Sequence, residues 1–279
     1  MSKGIELDID NLNTILLDGD GVLWQADKPI LGIKSFVHFL TKKQINWALL
    51  TNNNTHTAEY YVRKLHKFGI DASENIVFTS TTATAAYLLE HYEKGAGIHV
   101  IGMGGVKKTL QNAGFEISFG ETSPKHDVVA VVSGEDFEIN YDKIKVAMRL
   151  ILNGAAFIAT NTDSSFPTSE GINPGTGLVI GALRATTRTE PIVIGKPQKA
   201  IFEMAMARFN TNPENTLMVG DTLETDISGA SKIGIQTAAV LTGVVTREAI
   251  ANSKVKPDFI FEDISKLHET LEKLITLTA

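Results

Sequence analysis

The strongest constraint on the fold is an alternation of short apolar runs with stretches of helical periodicity. The run Thr14–Leu17 ends at an aspartate and has the length of a buried strand. It is followed by Ile33, Phe36, Val37 and Leu40, whose i, i+3, i+4, i+7 spacing predicts the apolar face of a helix. Because this order repeats along the chain, we predict an α/β fold built on parallel sheet with crossover helices.

The same alternation predicts how the chain is divided. Further predicted strands of the first domain are Trp47–Leu50, Ile192–Ile194, Leu217–Val219 and Thr237–Leu241. Helices are predicted over about 61–68, 198–209 and 225–233, with Pro197 at the first position of the second of these. The stretch 95–189 has strand-like runs of its own, at Ile98–Ile101, Val128–Val132 and Phe157–Thr160. We therefore expect a domain formed by residues 1–94 and 190–279, with a second α/β domain, residues 95–189, inserted into it.

Composition excludes several functional classes. The chain has 279 residues and no cysteine, which rules out disulfides, thiolate metal sites and a cysteine nucleophile. The 26 basic and 32 acidic residues give a net charge of −6, which argues against nucleic-acid binding. No apolar run approaches the roughly 18 residues of a membrane span, and the acidic N-terminus does not resemble a signal peptide. We predict a cytoplasmic protein without a membrane or nucleic-acid partner.

Two acidic segments follow predicted strands. Asp18-Gly19-Asp20-Gly21 comes directly after Thr14–Leu17, where ligands bind in open α/β sheets. Asp221 and Asp226 follow the strand Leu217–Val219. Carboxylates at such positions can bind Mg²⁺, which prefers hard oxygen ligands. The alternatives are an acidic turn at residues 18–21 and a helix N-terminal role for Asp226.

Two further strand ends carry groups suited to phosphate. Thr51, Asn52 and Asn53 follow Trp47–Leu50 and offer a hydroxyl, amides and loop N–H groups, although an asparagine-rich loop is often only a turn. Lys196 follows Ile192–Ile194, and its ordinary interpretation is an exposed lysine. We expect all four strand ends to meet at one edge of the sheet, because parallel strands place their carboxyl ends together.

These segments together resemble the haloacid dehalogenase (HAD) superfamily, and within it the NagD-like, 4-nitrophenylphosphatase-like group, subfamily IIA. The resemblance covers essentially the whole chain. The family's four motifs are matched in order by Asp18-Gly19-Asp20-Gly21, by Thr51 with Asn52 and Asn53, by Lys196 within Gly195-Lys196-Pro197, and by Asp221 with Asp226. The resemblance implies a Rossmann-like, doubly wound parallel-sheet core with an inserted α/β cap domain.

The resemblance also implies a reaction. Asp18 would attack phosphorus and form an aspartyl-phosphate, while Asp20 would act as general acid and then general base. Mg²⁺ would be held by the Asp18 carboxylate, the Asp20 backbone carbonyl and Asp221. Asp226 would orient metal-bound water or Lys196. Phosphate oxygens would be bound by Thr51, Asn52, Asn53 and Lys196.

The inserted segment would act as the cap that covers the substrate and recognises the leaving group. The resemblance implies that the loop holding Asp163 and Phe166 faces the substrate. Phe166 either stacks on a planar leaving group or packs within the cap. The family pattern is also compatible with a homodimer formed through the cap.

We therefore expect a Mg²⁺-dependent phosphatase, a hydrolase of the phosphoric monoester class, that acts on a small-molecule phosphate ester. One alternative on the same fold is a phosphotransferase or mutase, in which an organic hydroxyl accepts the phosphoryl group. Another is a non-catalytic ligand-binding protein. The combination of Asp18, Asp20, Lys196 and Asp221 argues against this last alternative, because a binding module needs no acid/base carboxyl beside a nucleophilic one.

Overall fold

The fold is described from a computed structural model, which describes residues 9, 11–121, 127–168 and 171–278. The described chain forms two compact units. The first unit comprises the described residues within Met1–Thr51, Val62–Phe78 and Phe202–Ala279, and the second those within Asn52–Tyr61 and Thr79–Ile201.

Strands and helices alternate as the apolar periodicity predicts. The strands of the described residues are β1 (Thr14–Leu17), β2 (Trp24–Gln25), β3 (Lys28–Pro29), β4 (Asn46–Thr51), β5 (Val77–Thr79), β6 (Gly97–Ile101), β7 (Glu116–Phe119), β8 (Ala130–Ser133), β9 (Ala156–Ala159), β10 (Ser165–Thr168), β11 (Gly171–Pro174), β12 (Ile192–Val193), β13 (Thr216–Gly220), β14 (Gln236–Val240) and β15 (Phe259–Phe261). The helices are α1 (Ile33–Lys42), α2 (Ala58–Lys67), α3 (Ser80–His91), α4 (Gly104–Asn112), α5 (Tyr141–Leu152), α6 (Gly177–Thr187), α7 (Ala200–Phe209), α8 (Ser228–Lys232), α9 (Arg247–Asn252) and α10 (Ile264–Thr278).

The first sheet has six strands in the order β15-β14-β13-β1-β4-β5. Its central strand β1 pairs in parallel with β13 on one side and β4 on the other. Leu17 lies in register with Val219 of β13 and Leu49 of β4, and all three side chains are fully buried. The carboxyl ends of these three strands are therefore neighbours, as the sequence predicts for the segments after residues 17, 50 and 219.

The second sheet has five strands in the order β12-β9-β8-β6-β7, and its described pairings are all parallel. Helices α5 and α6 contribute Ala147, Ile151 and Leu183 to the apolar core beside it. Together the two sheets confirm the predicted class, an α/β fold with a Rossmann-like, doubly wound parallel-sheet core and an inserted α/β cap domain.

One strand differs from the expectation. We expected Ile192–Ile194 to place Lys196 at the same sheet edge as Asp18, but β12 pairs with β9 of the second sheet. A run of three apolar residues predicts an extended segment and does not specify its partner strand. The expectation that four strand ends share one edge is therefore wrong for Lys196 and correct for the ends of β1, β4 and β13.

Helix boundaries differ at two places. The helix expected from residue 198 begins at Ala200, so Pro197 does not occupy its first position. The helix expected over 225–233 is divided into a π-type turn, Leu223–Ile227, and the short helix α8. By contrast, α1 buries the apolar face that the sequence predicts, formed by Ile33, Phe36, Val37 and Leu40. Within the described ranges, every helix lacks the combined length and hydrophobicity of a membrane span.

Candidate active site

Three carboxylates meet at the edge of the first sheet. One carboxylate oxygen from each of Asp18, Asp221 and Asp226 lies within 4.8 Å of the others, and we call these residues the acidic cluster. Asp221 and Asp226 are buried, whereas Asp18 is partly exposed. The Asp18 N–H donates to the Val219 carbonyl at 3.0 Å, which fixes the residue as a continuation of β1. The acidic cluster therefore presents its least buried carboxylate on a rigid strand end.

The loop after β14 holds Asp221 in place. The Val244 N–H donates to Asp221 Oδ2 at 2.7 Å, and the Val245 N–H donates to the Asp221 carbonyl at 2.9 Å. Gly21 has φ of +82°, and a Cβ at Gly21 or Gly243 would overlap the Asp221 carboxylate. Both glycines are thus required for the close approach of backbone to this side chain. The sequence reasoning missed Gly243, although its position two residues after the predicted strand Thr237–Leu241 was a usable signal.

Asp226 has a different part in the cluster. Its Oδ2 accepts the N–H groups of Asp221 and Thr222, at 3.2 and 3.1 Å. A carboxylate that binds two N–H groups fixes the loop that carries Asp221. The alternative interpretation, in which Asp226 only interacts favourably with a helix dipole, is therefore incomplete, because Asp226 also fixes the backbone of Asp221 and Thr222.

Asp20 is oriented by an aromatic side chain. The indole Nε1–H of Trp24, which is fully buried, donates to Asp20 Oδ1 at 2.9 Å. The Lys64 ammonium group lies 4.5 Å from the centre of the Trp24 ring. Burial lowers the pKa of Lys64, while the negative charges of Asp20 and Asp27 act to raise it. Trp24 is a second residue that the sequence reasoning left without a role.

Asn52 joins several segments of the second unit. Its Oδ1 accepts the Lys196 N–H at 2.9 Å, and its Nδ2 donates to the Lys196 carbonyl at 3.0 Å. Nδ2 also lies 3.2 Å from both oxygens of Asp163, and the Asn52 carbonyl accepts from Asn161 at 2.7 Å. We call Asn52, Asn161, Asp163 and Lys196 the asparagine junction. It brings together three of the predicted phosphate- and substrate-binding residues.

Lys196 is buried, with 2% of its surface exposed, so its interpretation as an ordinary exposed lysine is wrong. A lysine in such a place keeps its charge only beside anionic or polar partners. In the loop that follows β4, the Asn53 Oδ1 accepts from the Thr55 N–H and hydroxyl at 3.1 and 2.7 Å, which is the local bonding of a turn. Thr51 is buried at the end of β4.

Two residues to which the sequence prediction gave no role of their own, Asn54 and Glu135, lie beside the junction. The Asn54 Oδ1 accepts the Glu135 N–H at 2.8 Å, and Asn54 Nδ2 donates to Thr176 Oγ1 at 3.1 Å. Glu135 follows β8 by two residues and is partly buried. Burial, with the nearby charge of Asp163, raises the pKa of the Glu135 carboxyl to about 7. The strand-end rule, applied to the second sheet, was the signal for Glu135.

Phe166 lies in β10, on the hairpin formed with β11. Its ring centre is 6.2 Å from that of Phe137, with the planes inclined at 31°. Phe137 is 60% exposed. The Phe166 ring thus has a packing partner in the second unit and a partly exposed position, which leaves both interpretations of this residue open.

The acidic cluster fits a divalent cation. Three like charges within 4.8 Å, two of them buried, repel one another unless a cation or a bound proton compensates. All the donors are carboxylate oxygens, the ligands that Mg²⁺ prefers. The Val244 N–H fixes the Asp221 carboxylate, and the N–H groups of Asp221 and Thr222 fix the Asp226 carboxylate, so these two ligands are preorganised.

Comparisons with known proteins agree with this geometry. A haloacid dehalogenase-like hydrolase family model matches residues 15–116, and a HAD-hydrolase-like model matches residues 193–267. An acid sugar phosphatase of Staphylococcus aureus is 36% identical over 258 residues, which are 92% of this chain and 97% of that protein.

Solved structures show the same similarity over nearly the whole chain. A 4-nitrophenylphosphatase from Thermotoga maritima is 31% identical, with a TM-score of 0.87 over 94% of this chain and 98% of that one. A glycerol phosphate phosphatase from Mycobacterium tuberculosis in complex with magnesium is 28% identical, with a TM-score of 0.83 over 95% and 78%. NagD from Escherichia coli is 29% identical, with a TM-score of 0.80 over 91% and 98%. The chain therefore belongs to the haloacid dehalogenase-like hydrolases, within their NagD-like, 4-nitrophenylphosphatase-like group of phosphatases.

Proposed function

We propose that this phosphatase hydrolyses a small phosphate monoester by way of an aspartyl-phosphate on Asp18. The observation that carries the proposal is the acidic cluster, in which Asp18 lies on a strand end with an oxygen within 4.8 Å of Asp221 and Asp226 oxygens. Phosphate monoesters hydrolyse extremely slowly in water, so the residues of such a site must lower a very high barrier.

The reaction has two displacements. In the first, a carboxylate oxygen of Asp18 bonds to phosphorus, the ester P–O bond breaks, and Asp20 gives its proton to the departing alkoxide. In the second, Asp20 takes a proton from water, the water oxygen bonds to phosphorus, and the bond to Asp18 breaks. Inorganic phosphate leaves and Asp18 is regenerated. The hydrogen bond from Trp24 to Asp20 keeps that carboxyl in one orientation for both steps.

Mg²⁺ is the proposed cofactor, and the Asp18 carboxylate, the Asp20 backbone carbonyl and Asp221 would hold it. When bound, it neutralises negative charge between the attacking carboxylate and the phosphoryl group. Asp226, whose Oδ2 accepts from the Asp221 and Thr222 N–H groups, positions the Asp221 loop. The magnesium complex of the glycerol phosphate phosphatase supports this choice of metal.

Phosphate binding is assigned to Thr51, Asn52, Asn53 and Lys196 by the family pattern. The asparagine junction supports the assignment, because Asn52 contacts the Lys196 backbone through both side-chain atoms. Residues 95–189 would form the cap, and Asp163 and Phe166 would contact the leaving group. The names of the relatives favour small substrates such as sugar, glycerol or aryl phosphates.

The decisive experiment is phosphate release from a panel of these esters, with Mg²⁺ and with a chelator, for the wild type and Asp18→Asn. We expect the nearly isosteric variant to lose at least about a thousandfold in kcat and to keep its fold, because it cannot form the acyl phosphate. The matched control is Asp27→Asn, since Asp27 is almost fully exposed.

A direct readout accompanies the kinetics. Acid quenching during turnover, followed by mass spectrometry, should find a phosphoryl group on the wild-type peptide that contains Asp18. Undiminished turnover in Asp18→Asn would remove Asp18 as the nucleophile. Incorporation of labelled oxygen from water into the released phosphate would indicate hydrolysis, whereas transfer to an organic hydroxyl would leave the phosphoryl group unlabelled.

A further inference from the structure

Lys64 is a largely buried cation that the proposed chemistry does not use. It lies on α2, and only 13% of its side chain is exposed. Its ammonium group donates to the Ala26 carbonyl at 2.8 Å and lies 4.5 Å from the centre of the Trp24 ring. Asp27, 3.9 Å from the ammonium group, is 95% exposed, so water screens most of that attraction. A methionine would cover the Trp24 ring without a buried charge, so packing alone does not account for Lys64.

The partners of Lys64 belong to the hairpin that follows the first family motif. Strands β2 and β3 have two residues each and pair antiparallel. A hairpin this short has little stability of its own. At its turn, Ala26 is exposed and has φ of +51°, a left-handed conformation that is unfavourable for residues with a Cβ atom. The hydrogen bond from Lys64 to the Ala26 carbonyl therefore holds a strained turn against α2.

Trp24 connects this hairpin to the segment that carries Asp20. Its side chain is fully buried, and its ring centre lies 6.4 Å from that of Phe68. A Cβ at Gly19 would lie 2.6 Å from Trp24 Cζ2, so the ring lies directly against the main chain between Asp18 and Asp20. From this position the indole N–H donates to Asp20 Oδ1 at 2.9 Å. The indole therefore links the cation of α2 to the carboxyl of the proposed acid.

We propose that Lys64 is a positioning residue for the general acid: it fixes the β2–β3 hairpin and the Trp24 indole, so that the indole N–H remains aimed at Asp20. All of these residues belong to the first unit. The inference rests on the proposed function, because that function makes Asp20 the acid.

The ammonium group of Lys64 acts in two ways. Its hydrogen bond to Ala26 restrains the main chain of the hairpin. Its positive charge over the Trp24 ring attracts the indole electrons, which strengthens the N–H as a donor to Asp20. Lys64 itself takes no part in proton transfer, so its removal should affect the step that needs the acid and leave substrate binding unchanged.

The test replaces Lys64 in the full-length protein with Mg²⁺ present. Lys64→Met removes the charge and keeps a long apolar side chain, whereas Lys64→Arg keeps a cation and a hydrogen-bond donor. We expect Lys64→Met to lower kcat about fivefold for glycerol 3-phosphate and less than about twofold for 4-nitrophenyl phosphate, with KM unchanged, because an alkoxide needs the proton more than a phenolate does. Lys64→Arg should restore kcat to within about twofold of the wild type. Lys67→Met, at an exposed position of the same helix, should have no effect.

A double-mutant cycle tests whether Lys64 acts through the indole. Trp24→Phe has no N–H to orient, so Lys64→Met should cost less than about twofold in kcat when it is made in that variant. If the two losses of kcat multiply instead, Lys64 acts independently of Trp24 and the inference is overturned. If Lys64→Met does not fold, Lys64→Gln gives the same comparison of the two esters, and an equal loss for both esters in that variant would overturn the inference.

Tryptophan fluorescence provides a readout that does not depend on turnover. The chain has two tryptophans, so in a Trp47→Phe background the emission comes from Trp24. Lys64→Met should change the intensity or the maximum of that emission, because a charge 4.5 Å from the ring centre is removed, and Lys67→Met should not. Unchanged emission in a folded Lys64→Met protein would show that the cation does not act on the ring, which contradicts the proposed role.

The outcomes separate this inference from the proposed function. Hydrolysis of the two esters by the wild type, together with its loss in Asp18→Asn, reports the proposed function alone. If the wild type hydrolyses both esters and Lys64→Met loses equally on both, the role of Lys64 is overturned and the proposed function stands. If the wild type hydrolyses neither ester, the proposed function and this inference are both overturned.

Discussion

The acidic cluster and the asparagine junction are built by opposite means. In the acidic cluster, backbone N–H groups of Val244, Asp221 and Thr222 hold the carboxylates, and glycines admit the main chain close to them. In the asparagine junction, the side-chain amide of Asn52 bonds the main chain of Lys196 and the carboxylate of Asp163.

The difference has a physical consequence. Carboxylates held within 4.8 Å of one another repel, so the acidic cluster is prepared for a cation at a cost in stability. The amide junction satisfies buried donors and acceptors, so it contributes to stability while it positions Lys196. We therefore expect metal-dependent effects from the first region and structural effects from the second.

Among the substitutions that test this comparison of the two regions, the largest effect should come from Asp221→Asn in the acidic cluster. Removing one of three carboxylates within 4.8 Å weakens cation binding, and activity at limiting Mg²⁺ should fall by at least about a hundredfold. Without Mg²⁺ the variant should be at least as stable as the wild type, because repulsion is reduced.

Thermal unfolding with and without Mg²⁺ measures this directly. At a hundredfold excess over Kd, a ligand stabilises the wild type by about 2.7 kcal/mol, which raises Tm by several degrees, and the variant should lose that rise. Glu224→Gln serves as the control, since Glu224 is exposed in the same loop. A wild-type Tm that is the same with and without Mg²⁺ would contradict the assignment of the acidic cluster as the Mg²⁺ site.

Asn52→Ala should have an intermediate effect of a different kind. It removes two hydrogen bonds to the buried Lys196 backbone and an amide donor to Asp163. Each unsatisfied buried group costs roughly 1–3 kcal/mol, so the variant should unfold several degrees lower with or without Mg²⁺. Activity should fall about tenfold or more, mainly through KM, as Lys196 loses its fixed position.

Asn112→Ala, at an exposed position on α4, controls for the general loss of an amide. An Asn52→Ala protein with unchanged Tm and a higher KM would show that the junction acts on substrate without supporting the fold. The asparagine junction would then not contribute to stability, and this contrast with the acidic cluster would be lost.

Sequence alone predicted the parts of this arrangement that depend on strand ends. Asp18 and Asp221 follow apolar runs that form adjacent parallel strands, so their meeting follows from the order of the elements. Strand pairing beyond that was not encoded locally, as the placement of β12 in the second sheet shows. The division of the helix expected over 225–233 also escaped prediction, because the Asp226 carboxylate bonds backbone N–H groups of the preceding loop.

The sequence places Gly243 and Glu135 near strand ends, but it does not predict the contacts that these residues make. Gly243 approaches Asp221 from a segment 22 residues further along the chain, and the raised pKa of Glu135 depends on its burial beside Asp163. Such effects arise from distances in the folded chain. A motif names the residue that reacts, and the fold supplies the neighbours that set its charge and orientation.

The smallest effect should follow from Trp24→Phe, which keeps an apolar ring and removes the indole N–H that donates to Asp20 at 2.9 Å. A hydrogen bond to a charged group contributes about 1.5–3 kcal/mol, and we expect kcat to fall roughly tenfold with KM and the Mg²⁺ response unchanged. The loss should be greater for glycerol 3-phosphate than for 4-nitrophenyl phosphate, because an alkoxide needs a proton more than a phenolate does. Trp47→Phe, at the other buried tryptophan, controls for ring size. Equal losses of kcat for the two esters would show that Trp24 contributes only to packing. A role in orienting Asp20 as the general acid predicts a loss that depends on the leaving group.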